Sequence, residues 1–573
     1  MKRNLLFSLT LAAAALTASA QEGMPSLTWA NVINGGNGNT TPEAIASVGD
    51  NTFLLSKFVS KGSDDAKNFV DFGSEAKVAF GAPSGATSGN DNLLISKIGE
   101  NGRAEWHVYS KQGRVGSASA AVTSDGGVVV AAVMSFTAFN SKDATDIPAN
   151  SILQLVDASG NVTNVEKTFN NASVFDLVVM KLSAAGSLEW YKQAVADEAL
   201  NALTAKVAVD ADGNIFIGGQ HAKTLNFGSN AVAARAAKSL YLVKLDNAGN
   251  FVKSFDITGT DAEDYIDGIA AADGKVYVAG RIKAKAEGDK VKFGDIEIAP
   301  TTFDDAYAAA FDTDLNPVWA TLAASVAASD GKHTTQIKGI DVSEGYVLVT
   351  GLVKGGYKDV NATTPIVYTS GTVLEGMVLG FNAANGALEK GENMYEGISG
   401  FFSATIKNDK IYTFGYNVAD AEDQGSSIVE FENGDNNELM VAVTNEPATA
   451  GYPTTFTAKF NGNKVIAGVR AKGAGINILE DNLGFASKTN FTATALCLDL
   501  SEIFSSVSTT VAESALKVVA VEGGVKVSAA ETTSVSVYNI AGQIVAKQTV
   551  AGETTIALPA GFYIVGNSKV VVK

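Results

Sequence analysis

Metal sites, nucleophiles and acid–base pairs are built from histidine, cysteine and positioned carboxylates, and this chain of 573 residues is sparing with the first two. Its three histidines, His107, His221 and His333, lie far apart with neither HxH nor HExxH spacing, so no two of them face one ion from a single strand or helix turn. They read as isolated side chains. The one cysteine, Cys497, sits in the apolar run from Ala495 to Leu500, the setting of a small core residue, and no intrachain disulfide can form. Asp312-Thr313-Asp314-Leu315-Asn316 opens like a calcium loop, yet Pro317 stands where a glycine must turn and the twelfth position is Ala323 instead of glutamate. Val209 to Asn214 fails likewise, because Gly213 comes too early. Both stretches read as hairpin turns. Neither a GxSxG elbow nor a GxxxxGK[ST] loop is present, so no serine-hydrolase or nucleotide chemistry is implied and no cofactor is expected.

Carboxylate pairs act across space and leave no fixed spacing. The acidic groups that stand out are Asp261, Glu263, Asp264 and Asp267, with Asp197 and Glu198 at the matching place one repeat earlier. All fall between the second and third strands of a repeated unit, which brings them to one face. They are the candidate binding residues, either as a solvated acidic rim or as a cation-assisted, glycan-binding face.

The unit that positions them is clearest from Asp176 to Gly219, where four strands alternate with turns: Leu177 to Leu182, Ser187 to Gln193, Ala205 to Asp210, and Asn214 to Gly218 across the pair Asp212-Gly213. It recurs as LLISKIGENGRAEWHVY with VTSDGGVVVAA, as LYLVKLDNAGNFVKSF with IAAADGKVYVAG, and in weaker copies ending at Gly351, Gly415 and Gly468. Trp29, Trp106, Trp190 and Trp319 keep step with it, and Phe72-Gly73, Phe227-Gly228 and Phe293-Gly294 end similar stretches between units. The period, roughly 65 to 80 residues, exceeds the common propeller repeat of about 40 to 50, the surplus lying in loops. The chain opens on a strand of second-strand type, Leu27 to Ile33, and late in the array Ala495 to Leu500 is a first strand with no second. Pairing the two would close a ring of seven blades and remove both raw edges.

Residues 25–505 resemble bacterial β-propeller repeats, a resemblance carried by KLSAAGSLEW, VDADGNIFIGG, KLDNAGNFV and AADGKVYVAG. The resemblance implies an all-β, seven-bladed propeller of four-stranded blades and says nothing of a ligand. After a linker at 506–514, residues 515–573 read as a small β-sandwich. Its elements VYNIAGQIV and LPAGFYIV and its terminal strand resemble the type A sorting domain of type IX secretion in Bacteroidetes, which implies the secretion machinery as a partner.

Residues 1–20 have the basic start, apolar run and small residues of a secretory signal, with cleavage expected after Ala20. That run of about a dozen residues is short of the roughly 20 a membrane helix needs, so an exported protein is expected, extracellular or on the outer-membrane surface and not integral to the membrane. The formal charge of −18 argues against nucleic acid as a partner, which rewards clustered Lys and Arg. Two function classes remain. One is a non-catalytic, monomeric binding or scaffold module for an extracellular glycan or protein, favoured because the repeat accounts for nearly every prominent residue; the other is a glycan hydrolase or lyase using carboxylates on one propeller face.

Overall fold

In the computed structural model, residues 25–573 are described except 36–37, 61–68, 72–77, 80–89, 111–113, 136–150, 158, 160, 167–174, 197–203, 223, 234–238, 260–263, 370–372, 395–398, 418–424, 433–434, 447–453, 480, 486–488, 506–516, 522, 540–543 and 566–567. Runs of Val, Ile, Ala and Tyr cut by glycine-bearing turns favour extended backbone over helix. The protein is accordingly all-β, with one short helix, Ser501–Ser505, among the described residues. It divides into two compact units, Met1–Phe504 and Ser505–Lys573.

The first unit is a succession of antiparallel four-stranded meanders. One runs Lys206–Val209, Ile215–His221, Ser239–Leu245, Phe251–Phe255, and the next runs Tyr265–Ala272, Lys275–Ile282, Asp305–Asp312, Pro317–Val326. First strands of successive meanders pack side by side, which is β-propeller architecture. A repeat read from the sequence straddles two meanders: Phe175–Leu182 and Leu188–Ala196 end one, whereas Lys206–Val209 and Ile215–His221 open the next. Hairpin turns are what a sequence advertises, and they fall inside each meander. The hairpin at Asp212-Gly213 is a wide one. Val209 pairs with Ile215 across residues 210–214, and the Asp210 carboxylate accepts from the amides of Asp212 and Asn214 at 3.0 and 2.8 Å. Asp312 accepts in the same way from Asp314 and Asn316, so its carboxylate serves the turn.

The surplus length of the repeat forms outer hairpins. Leu225–Phe227 and Asn230–Val232 leave one meander between its second and third strands and pair with Leu188–Ala196, the last strand of the preceding one. Val291–Phe293 with Ile296–Ile298, and Gly475–Ile478 with Asp481–Gly484, do the same against Ile257–Thr258 and Asp435–Glu446. The Phe-Gly pairs at 227–228 and 293–294 enter their turns; Gly228 and Gly294 both have φ of +63°. Each hairpin covers an edge that would otherwise offer unpaired amides.

The tryptophans join neighbouring meanders. Trp106 donates its indole N–H to the Ala184 carbonyl at 2.9 Å, and Trp319 donates to that of Ala383 at 3.2 Å. At the chain ends, Ser26–Gly35 pairs with Thr492–Asp499, Trp29 opposite Cys497 and Ile33 opposite Ala493, while the other edge of Thr492–Asp499 pairs with Lys464–Ala471. Cys497 is buried there, and burial pushes its thiol up to about 11.

In the second unit, where two sheets are expected, the strands join in one sheet through the long strand Gly524–Asn539, whose register breaks between Ala529 and Thr533. Both halves of that strand contribute to one core, through Val525 and Val527 on one side of the break and Val535 and Val537 on the other.

Candidate functional site at the inner cavity

The innermost strands enclose a cavity of about 600 Å³. Its walls come from Thr40–Val48, Arg114–Val122, Lys206–Val209, Tyr265–Ala272, Thr334–Ser343, Ser399–Lys407 and Thr454–Asn461. Small residues such as Ala44, Ala118, Ala208, Gly268 and Gly339 let these strands converge. The hydrophobic clusters lie between the meanders, behind this wall.

Most of the inner strands carry a β-bulge near their start. Register skips one residue in each case: Glu43, Gly116, Asp267, Lys338, Phe402 and Phe456. A bulge breaks the two-residue alternation and re-aims a side chain, and all of these except Gly116 line the cavity. Lys206, the first residue of its strand, lines it too. The repeat thus sets functional groups at equivalent places on the cavity wall.

The carboxylates of this wall are held by cations. Glu43 pairs with Lys57 at 2.9 Å and accepts from the Ala118 amide at 3.2 Å. Asp267 takes both Nε and Nη2 of Arg281, at 2.9 and 3.4 Å. Arg281 also lies over the Tyr265 ring, 4.0 Å from its centroid. Burial works against the guanidinium charge, and Asp267, with Tyr265 and Asp304 adding to it, more than restores it. Farther along the strands, Asp341 pairs with Lys459 and accepts from Ser403 Oγ at 2.8 Å and the Ala404 amide at 3.0 Å. Phe402 and Phe456 form an aromatic sector. The Lys338 ammonium lies 5.8 Å from the Phe402 ring, and the Arg470 guanidinium stacks between Phe456 and Phe491, 4.3 and 4.4 Å from their centroids.

Of the residues singled out in the sequence, Asp267 lines the cavity and Asp264 is buried, its carboxylate accepting from the Lys283 amide at 3.2 Å. Asp197, Glu198, Asp261 and Glu263 lie outside the described residues. Glu43, Lys206, Lys338, Phe402 and Phe456 went unrecognised. The signal for them is a charged or aromatic residue recurring just ahead of the alternating run that opens each meander. The histidines lie apart: His107 Nδ1 meets Ser96 Oγ at 2.9 Å, His221 stands edge-on to Tyr241, and His333 packs between Phe303 and Tyr357. Among the described residues, no three His, Cys, Asp or Glu side chains are grouped to hold a metal ion.

Residues 506–572 match the family model described as a domain of unknown function, DUF6383. None of the curated proteins matches the chain. Among solved structures, the chain is similar to the polysaccharide lyase Uly1, at 11% identity over 80% of this chain and 90% of that one, with a TM-score of 0.38. It is similar to the Dos1 propeller at 10% identity over 83% and 96%, with a TM-score of 0.36. A protein of unknown function from Dyadobacter fermentans DSM 18053 is similar at 10% identity over 68% and 95%, with a TM-score of 0.34. Likenesses of this order bear on neither activity nor ligand.

Proposed function

We propose that the protein is an exported, non-catalytic β-propeller that binds a glycan or protein ligand at the mouth of its inner cavity. One observation carries this reading: the cavity carboxylates Glu43, Asp267 and Asp341 are each tied to a cation, Lys57, Arg281 and Lys459. A general acid or a nucleophile needs a carboxyl group free to exchange its proton or to attack. A carboxylate gripped by a guanidinium is a fixed charge instead.

The propeller is read as a closed ring of seven blades. The cavity-lining strands, each opening a meander, support the count, and the ladder between Ser26–Gly35 and Thr492–Asp499 supports the closure. A closed ring has no raw edge to protect. Export rests on the signal at residues 1–20, which lie outside the described residues, and sorting rests on VYNIAGQIV and LPAGFYIV. In a producing cell, deletion of residues 515–573 is expected to hold the protein in the periplasm; unchanged surface display would defeat the sorting role alone.

The test of function is a glycan and protein array probed with the full chain, paired with assays for new reducing ends and unsaturated sugar products on every glycan bound. Saturable binding without turnover supports the reading. Cleavage of a bound glycan, abolished by Asp267→Asn, would replace it with the hydrolase or lyase alternative.

A further inference from the structure

The cavity has a local charge opposite to that of the protein, whose formal charge is −18. With Glu43, Asp267 and Asp341 neutralised by their partners, Lys206 and Lys338 remain on the wall without an ion-pair partner among the described residues. The two side chains line the same cavity, and their charges act on each other. Burial holds Lys338 below the ordinary lysine range; Asp267 opposes that shift, and Arg281 and Lys206 add to it. Like charges on one half-buried wall repel, and a further anion placed between them relieves that repulsion. Phe402 lies on the inner strand next to that of Lys338 and Phe456 on the one after; both line the same cavity, Phe402 buried in the wall and Phe456 half-buried with ring surface to offer. Aromatic faces take the C–H surface of a ring-shaped ligand, whereas a bare inorganic anion has no use for them.

We infer that the cavity mouth binds an anionic oligosaccharide, its carboxylate or sulfate oxygens lying between Lys206 and Lys338 and a sugar ring lying on Phe456. The inference rests on the binding reading and narrows its ligand class. Charge-assisted hydrogen bonds from two ammonium groups give the affinity its salt dependence, and the aromatic sector selects a sugar over a free ion.

Calorimetric titration of the full chain with a galacturonate trimer, a sulfated disaccharide and a neutral glucose trimer, at low and high salt, tests this. Binding of an acidic sugar, weakened by salt and at least about tenfold by Lys206→Met or Lys338→Met, is the expected result. The two acidic probes separate a carboxylate site from a sulfate site. Phe456→Ala is expected to weaken the saccharide while leaving any binding of inorganic sulfate as it was. Equal binding of the neutral trimer, or acidic binding indifferent to both lysine variants in proteins whose melting is unchanged, overturns the inference. If no acidic sugar binds while an array ligand does, and Ala208→Arg in the cavity wall abolishes that binding, the anionic class is wrong and the binding reading stands. If nothing binds, both fall.

Discussion

Trp190 donates its indole N–H to the carbonyl oxygen of Asn247 at 3.1 Å, reaching from one meander into a turn of the next. The ring then lies against Gly249, where an added Cβ would stand 2.8 Å from it, and Gly249 has φ of +75°. Gly102 under Trp29 and Gly386 under Trp319 repeat the arrangement, with Cβ approaches of 2.7 and 2.6 Å. Each of these three tryptophans therefore needs a glycine one meander away.

That dependence predicts two different penalties for one substitution. Gly274 has φ of +70° with open space around it, so Gly274→Ala is expected to cost only the positive-φ strain, about 1 kcal/mol. Gly249→Ala adds displacement of the Trp190 ring and is expected to cost clearly more. Urea unfolding midpoints of the two variants check this, and equal losses would remove the tryptophan from the account.

The tryptophans were legible because their spacing follows the repeat, as were the hairpins around Gly213 and Gly274, where glycine supplies positive φ. The cavity groups were not. Lys338 stands between Ile337 and Gly339 in what reads as an ordinary alternating strand, which sends a lysine to solvent; only the skipped register between Ile337 and Gly339 turns it to the wall. The acidic residues near Asp264 drew notice by their number, yet Asp264 itself is 4% exposed and serves a backbone amide. Pairing across space, as between Asp341 and Lys459, leaves no trace in spacing.

The ladder between the chain ends makes a second prediction. Ser26–Gly35 covers one edge of Thr492–Asp499, a buried strand that carries Ala493, Ala495, Leu496, Cys497 and Leu498. Removing residues 21–35 uncovers that edge and the core beneath it, so the truncated chain is expected to self-associate and to melt at a lower temperature. Light scattering and thermal melts of the truncated and intact chains decide it; a monomer with unaltered melting would mean that the terminal strand contributes nothing to the unit.

Two kinds of buried group should give stability opposite pH trends. Burial lowers His107 and His333 from 6.5 to about 4. Between those values the unfolded chain takes up protons that the folded one refuses, so stability is full above about 6.5 and is lost as pH falls toward 4. Burial raises Glu375 from 4.5 to about 7, with a hydrogen bond from Asn393 working the other way. Here the folded state holds the proton longer, and stability is lost as pH rises from 4.5 through 7. His107→Gln is expected to flatten the acid side of a plot of urea midpoint against pH, and Glu375→Gln to raise its neutral side. No change of slope for either variant would show that these groups are solvated when folded.

The last prediction concerns the Asp267–Arg281 pair, which holds the acidic residue that, among the described residues singled out in the sequence, lines the cavity. Its two side chains are 16% and 19% exposed, so the charges are partly desolvated and depend on each other. Arg281→Met leaves the Asp267 carboxylate on the cavity wall it shares with Lys206 and Lys338, with no guanidinium behind it. Removing one partner of a charged hydrogen bond costs roughly 1 to 3 kcal/mol, less whatever the two lysines return by turning to the vacated carboxylate. Asp267→Asn with Arg281→Met removes both charges and is expected to recover much of that loss. The Arg281→Met cavity is one positive charge poorer, so retention of anionic ligands should fall and their salt dependence should shrink, whereas the double variant restores the original net charge at the wall. Unfolding midpoints and salt-dependent affinities of the three chains test both halves. If the single variant unfolds as the wild type does, Asp267 is already satisfied by solvent and the pair is not what fixes its charge.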